Sequence, residues 1–381
     1  MRVLLVGCGG IGGIVAASLA RAGAAVDVVT GNADIQQALL RHGMRVRDLD
    51  GQEWATPPTG QVVVQARELG SSARPYELCL LATKTTTLEG ALQEVLPLLR
   101  PKADVVLLQN GLPEGRAERL LGPGRVIGCV VGWGATMLEP GFSARTSRGG
   151  LQIGRPRQKT ATPDAGLRRA SELLGQAFET RIVDDLDGVR WSKLAINCAT
   201  STLGAAGGDT LGQLLRHRFV RRLALETWGE LSQVARHEGV KLAKVAGTLD
   251  IGKLAITPDE RSLRIGSPRL FLKHSLVLAI GLKFRRMRSS MAIAIARGRT
   301  PEIDWLNGEI VRRGEEFGVA TPVNRALVTL IHDIVAGRSK PSLNTLYDLY
   351  CRTCVAAGLP DSQPALPPIA SPAEKPPREL R

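Results

Sequence analysis

The sequence predicts an α/β protein in which a doubly wound parallel sheet comes first and an all-α segment follows. Three observations lead there. Up to about residue 185, short apolar runs alternate with stretches long enough for a helix. The first run, residues 3–6, passes straight into the glycine turn Gly7-x-Gly9-x-x-Gly12. Beyond Asp185 the apolar positions recur every three to four residues, the repeat of a helix that buries one face.

The elements follow in chain order. Residues 3–6 are apolar without polar alternation, as suits a strand buried on both faces. A small-residue helix at 14–22 follows the glycine turn. In that setting Gly7 permits the tight turn, Gly9 lets backbone approach a pyrophosphate, and Gly12 lets helix and strand pack closely. The unpaired N–H groups and positive end of the helix then hold phosphates. This order of strand, turn and helix predicts a Rossmann-type dinucleotide-binding domain over residues 1–185. Further strands are expected at 26–29, 78–83, 105–108 and 126–132. Strand-like pieces at 151–154 and 181–183 flank a helix at 165–178, so the sheet is expected to end in antiparallel strands. Helices over 189–203, 212–238, 270–297, 301–317 and 324–335 then build an all-α domain over 186–358, interrupted by a polar loop at 256–268. Seven prolines in the last 22 residues, with no periodicity, predict a disordered tail over 359–381.

Composition narrows the function classes. At 381 residues the chain accommodates two domains of ordinary size. No apolar run approaches the roughly 18 residues of a membrane span, and 276–282 reads as a buried helix turn. Glycines interrupt the first apolar run after four residues, unlike a secretory signal. A cytoplasmic protein with no membrane partner is expected. Cys8, Cys79, Cys129 and Cys198 sit alone in apolar settings and read as small buried hydrophobes of a reducing compartment. Cys351-x-x-Cys354 lacks the second pair or nearby histidines of a metal site, and no metal is expected. The net charge is +14, and residues 253–299 hold eleven basic residues against Asp259 and Glu260. No nucleic-acid motif accompanies them. They read as a solvated face or a field that attracts anionic ligands, with no nucleic-acid partner expected.

Ligands of doubly wound sheets sit beyond the C-terminal strand ends. Lys84, Asn110 with Gly111, and Thr30-Gly31-Asn32 are expected on that rim. In the helical half, Lys193 and Asn197 lie four apart, and Ser201 continues their face. Apolar neighbours predict a partly buried Lys193 whose pKa is lowered toward the range useful for proton transfer. Thr300 is expected to cap a helix with Pro301 and Glu302 in its first turn, placing a carboxylate where it can pair with Lys193. The hydroxyls of Ser289 and Ser290 are candidates for a substrate carboxylate.

Taken together, Gly7-x-Gly9-x-x-Gly12, Thr83-Lys84, Gln109-Asn110-Gly111, Trp191-Ser192-Lys193-Leu194, Asn197-Cys198, Arg288-Ser289-Ser290-Met291 and Glu302 to Gly308 resemble the ketopantoate reductase (2-dehydropantoate 2-reductase) family. The ordered set spans residues 1 to about 335. The resemblance implies a Rossmann domain, a helical domain and a site in the cleft between them. It implies NADPH-dependent reduction of a 2-oxo acid, with 2-dehydropantoate the leading substrate, as in pantothenate biosynthesis. Lys193 falls on the family's general acid and Glu302 on its partner. Lys84, Asn110, Asn197, Ser201 and Ser290 fall on substrate-contacting positions. Gly7, Cys8, Gly9, Gly10, Ile11, Gly12, Thr30, Asn32, Lys84 and Asn110 fall on the cofactor's path. Alternatives are reduction of a different branched 2-oxo acid, or a dinucleotide-sensing protein without catalysis. A homodimer is compatible with the resemblance. Three departures stand out. The arginine that reads the NADP 2′-phosphate in many members falls near Gly31, leaving Arg41 or another cation to serve. Asparagines that contact substrate in some members fall on Ser201, Leu211 and Met287. Residues 241–286 are longer than the usual connection.

Overall fold

The computed structural model describes residues 2–70, 76–158, 162–243, 250–262 and 267–355. The tail expected at 359–381, and parts of the basic stretch, lie outside the described residues.

The strands are β1 (Val3–Val6), β2 (Val26–Val29), β3 (Met44–Arg47), β4 (Glu53–Thr56), β5 (Val62–Val63), β6 (Tyr76–Leu81), β7 (Leu99–Leu107), β8 (Val126–Val131), β9 (Ala135–Glu139), β10 (Phe142–Arg145), β11 (Leu151–Gly154) and β12 (Thr180–Ile182). Eight of them form one sheet in the order β12-β11-β8-β7-β6-β1-β2-β5. Pairing is parallel from β5 through β8. The sheet ends as expected in antiparallel strands: β11 runs against β8, and β12, parallel to β11, also runs opposite to the other six. Alternate residues of β1 serve different cores. Val3 and Leu5 pack on one face of the sheet, Leu4 and Val6 on the other, which is why the strand shows no polar alternation.

The chain leaves β1 for β2 on one side and returns to β6 on the other. That switch point opens a crevice above β1 and β6, where doubly wound sheets bind ligands.

A second, four-stranded sheet, β4-β3-β10-β9, was not foreseen. It packs on α1 (Gly10–Arg21). A Cβ on Gly10 would stand 3.2 Å from the Ala135 backbone, and one on Gly13 would lie 2.8 Å from Ser143 Oγ. The small residues of this helix therefore serve the second sheet as well as the glycine turn.

The remaining helices are α2 (Ala33–His42), α3 (Leu88–Val95), α4 (Glu114–Leu121), α5 (Ala165–Gly175), α6 (Leu186–Gly207), α7 (Leu211–Leu214), α8 (Arg218–His237), α9 (Ile251–Leu254), α10 (Pro258–Ser262), α11 (Pro268–Lys283), α12 (Ser290–Ala296), α13 (Asn307–Phe317), α14 (Pro322–Val335) and α15 (Leu343–Tyr350). From α6 onward all of them but α10 share one apolar core, the all-α half expected from periodicity. Two expected helices are broken. The stretch 212–238 splits because Arg221 donates to the carbonyls of Leu215 and Arg216, ending α7 before α8 begins. The stretch 270–297 splits where the chain crosses Gly212, whose Cβ would lie 2.4 Å from Arg285 Cα. Ser289 then caps α12 by accepting from Ala292 N at 3.1 Å. Residues 276–282 are not a wholly buried turn either. Val277 is buried, but Leu276 is 40% and Leu282 59% exposed.

Candidate active site

The glycine turn is shaped by contact on every side but one. Gly7 has φ +93°, and a Cβ there would stand 2.7 Å from Thr83 N. On Gly12 a Cβ would fall 1.8 Å from Gly7 O, an impossible overlap. At Gly9, by contrast, it would meet nothing within 4 Å. The open side faces the rim of the sheet, and no side chain caps α1 there. A dinucleotide's phosphates fit this arrangement, since backbone N–H groups and the positive helix end are left for an anion. The Cys8 thiol points into the sheet's core, where burial pushes it up to about 12, so Cys8 has only its backbone to offer a ligand.

The loop after β2 is more committed than its sequence suggests. Thr30 Oγ1 donates to the carbonyls of Asn32 and Val63, at 2.8 and 3.2 Å. Asn32 Oδ1 accepts from Ile35 N and caps α2. Arg41 sits in the last turn of α2, roughly 13 Å along the axis from Asn32. It is therefore out of reach of this loop. A cation the sequence reading missed lies closer. Gly31 N donates to Val64 O at 3.0 Å, and exposed Arg67 follows three residues later. No sequence signal marked it, because β5 is only two residues long.

Above β6 and β7, the helical half meets the rim. Lys84 is exposed, its Nζ 3.5 Å from Thr300 O. Buried Thr85 donates to Asn110 O at 3.0 Å and lies 3.5 Å from Glu302 Oε1. Gly111, at φ +81°, lies under Trp305, whose carbonyl would be 2.8 Å from an added Cβ. Asn110 itself is exposed on the rim.

The expectations at Glu302 need two corrections. The residue precedes a short 3-10 turn, Ile303–Trp305, and α13 begins only at Asn307. Leu306 breaks the helix with φ −110° and ψ −96°, and the Asn307 amide is drawn into a buried network with Thr202, Cys198 O and Asn324. Nor does Glu302 pair with Lys193. Its carboxylate meets Thr85, and Lys193 has no ion-pair partner among the described residues.

Lys193, Asn197 and Ser201 do share one face of α6. From Gly188 to Gly207 only Lys193, Ile196, Asn197, Thr200 and Ser201 are partly accessible, at the spacing of a single helical strip. Burial, then the charge of Arg190, pushes the Lys193 ammonium below the usual lysine range. Ser289 is occupied as the α12 cap and donates to Ser201 O at 2.5 Å, whereas Ser290 is exposed.

Arg190 was also missed. One turn before Lys193, it is buried and donates to Glu114 Oε1 at 2.6 Å, Gln109 O at 2.7 Å and Leu107 O at 3.0 Å. It thereby ties α6 to the end of β7, and Lys193 to the Asn110 rim. An apolar cavity flanks the same strip, and the departures Leu211 and Met287 both line it. The free thiols Cys351 and Cys354 lie in the final helical turn. Among the described residues, no helix is long and apolar enough to cross a membrane. The basic stretch is partly internal: Lys273 pairs with Glu260 at 2.6 Å and Arg261 with Glu226 at 2.7 Å.

Comparison with known proteins agrees with this architecture. Residues 3–158 match the family described as Ketopantoate reductase PanE/ApbA, and residues 185–335 match its C-terminal counterpart. A 2-dehydropantoate 2-reductase of Mesorhizobium japonicum is 25% identical over 365 residues, covering 89% of this chain and 99% of its own. One of Pyrococcus horikoshii is 26% identical over 334 residues, covering 87% and 96%. The crystal structure of a PanE/ApbA family ketopantoate reductase from Ralstonia eutropha superposes with a TM-score of 0.72 at 27% identity, covering 89% and 99%. The fold is shared more widely: D-mandelate dehydrogenase, solved with NADH and anilino(oxo)acetate, superposes at 0.70 with 20% identity, covering 90% and 99%. The two family matches together span most of the sequence, in order and across both halves, and the chain belongs to the ketopantoate reductase family.

Proposed function

We propose that this chain is an NADP-dependent oxidoreductase that reduces 2-dehydropantoate to pantoate in the cytoplasm, with Lys193 as the proton donor. The observation that carries the reading is the strip on α6: a half-buried lysine without a counterion among the described residues, followed at successive turns by Asn197 and Ser201. Family membership supports the reaction, since the relatives with most of this chain's length are named 2-dehydropantoate 2-reductases.

When bound, NADPH supplies the hydride for the 2-oxo carbon. The backbone of Gly7, Cys8, Gly9, Gly10, Ile11 and Gly12 holds its pyrophosphate, and Lys84 and Asn110 line the way from that turn to the helical half. Lys193 passes its proton to the carbonyl oxygen as negative charge develops there. A depressed pKa makes that proton easier to give. Lys84 faces the substrate carboxylate as a cation, and Asn197, Ser201 and Ser290 offer hydrogen bonds that fix its orientation. Glu302, held near Thr85, orients substrate across the cleft rather than pairing with Lys193. Arg67 serves the cofactor's 2′-phosphate in place of the absent arginine at Gly31. The working units are residues 1–185 and 186–358. The outer face of α11, where Phe271 and Leu272 stand exposed, supports self-association as a homodimer.

The test is NADPH oxidation by the purified protein on 2-dehydropantoate. Measurable turnover, lowered by at least two orders of magnitude in Lys193→Ala, is expected. A wild-type protein that oxidises NADPH with no 2-oxo acid would sink the reading.

A further inference from the structure

Beside the α6 strip lies a cavity of about 380 Å³, within the usual range for small-molecule sites. Its near wall is Ile196 and Thr200, two of the five accessible residues of that strip. Ile196 lies one turn from Lys193 and adjoins Asn197, so the cavity begins where a reacting group between those residues would end. The far wall is α11, including Ala279, with Leu211 and Met287 at one end.

The lining has almost nothing to offer a polar group. Apart from Thr200 and Lys283, every side chain around it is a hydrocarbon, a thioether or an aromatic ring. Thr200 Oγ1 already donates to Ile196 O at 2.8 Å. Trp228 Nε1 turns away to Ala195 O at 2.9 Å. Lys283 Nζ lies over the Phe284 ring, 5.5 Å from its centroid, at the exposed edge of α11. A hydroxyl carried into this space would lose its water and find little beyond the acceptor lone pairs of Thr200 Oγ1, whereas methyl and ring carbons would gain burial.

We propose that this cavity receives the substituent on the 2-oxo carbon, so that the enzyme accepts 2-oxo acids with bulky apolar, branched or aromatic substituents and does not read a hydroxyl on them. The inference rests on the reductase reading above and adds the substrate class. The physics is asymmetric. A site that hydrogen-bonds a substrate hydroxyl rejects the analogue lacking it by about 10⁴-fold or more, whereas an apolar pocket discriminates by about 10²-fold at most.

The test compares kcat/KM for 2-dehydropantoate, its deoxy analogue 3,3-dimethyl-2-oxobutanoate, 4-methyl-2-oxopentanoate and 3-phenyl-2-oxopropanoate. The deoxy analogue is expected to equal or exceed 2-dehydropantoate, and its longer-chained isomer 4-methyl-2-oxopentanoate and the larger phenyl acid to fall within about tenfold of it. In Ala279→Trp, which puts a bulky ring on a lining residue at an exposed position of α11, the phenyl substrate should lose at least about tenfold. 2-Dehydropantoate and its deoxy analogue should lose less than the phenyl substrate does, because their compact substituents fill less of the cavity. Preference for 2-dehydropantoate over its deoxy analogue by more than about 10²-fold overturns the proposal. So does an Ala279→Trp variant that affects large and small substrates alike, or neither. Failure of the reductase reading itself looks different, because then no 2-oxo acid is turned over. Failure of the inference alone leaves 2-dehydropantoate reduction intact.

Discussion

Replacing Arg190 by methionine should cost this protein about 3–5 kcal/mol of stability, the range for removing one partner of a buried ion pair. The magnitude follows from the surroundings. The Arg190 and Glu114 side chains are 3% and 8% exposed, and their contact is 2.6 Å. Truncation leaves the Glu114 carboxylate buried without a countercharge, and strips a donor from the carbonyls of Gln109 and Leu107. Replacing both partners is different in kind. Arg190→Met with Glu114→Met removes the charge that needed compensation, and exchanging a buried pair for packed hydrophobes is often close to neutral. The double variant should therefore recover the part of the loss that comes from the uncompensated carboxylate, though not the part from the two carbonyls. Urea unfolding followed by tryptophan fluorescence measures both. A single variant that loses less than about 1 kcal/mol, or a double variant no better than the single, refutes the argument. Because Arg190 also ties α6 to the Asn110 rim, the single variant should lose kcat/KM even under conditions where it is fully folded.

Lys193 gives two further expectations. As proton donor it must carry its proton, so turnover should fall as pH rises through its depressed pKa, and that limb should lie below 10.5. A limb at or above the ordinary lysine value would contradict the assignment. Between the depressed pKa and 10.5 the unfolded chain binds the proton more tightly, so this group's contribution to stability rises with pH across that window and is a penalty below it. Lys193→Met should accordingly raise Tm at neutral pH while abolishing turnover; an unchanged or lower Tm counts against it. In cofactor titrations, Arg67→Ala should weaken NADPH binding by about tenfold, the worth of a hydrogen bond to a charged group, and leave NADH unaffected. Equal losses for both cofactors would place Arg67 away from the 2′-phosphate.

Much of the site was legible because it is local. Gly7, Gly9 and Gly12 lie within six residues, and their order after an apolar run already implies strand, turn and helix. Lys193, Asn197 and Ser201 share a face because 3.6 residues complete a turn, whatever the rest of the chain does. The alternation of apolar runs and helices likewise carried the α/β half, and the later periodicity the helical half. Tertiary structure decided what depends on distant partners. The break at 284–289 answers to Gly212, on another element. Glu302 turned from a helix start to Thr85 because Leu306 bends the chain and Asn307 is claimed by a buried amide network. Thr30 and Asn32 look like free donors in sequence, yet each spends its hydrogen-bonding oxygen on nearby backbone. Arg190 is an ordinary helical arginine until another segment places carbonyls around it. Periodicity reports which face of an element is apolar; only packing decides what that face meets, and so which polar groups remain for a ligand.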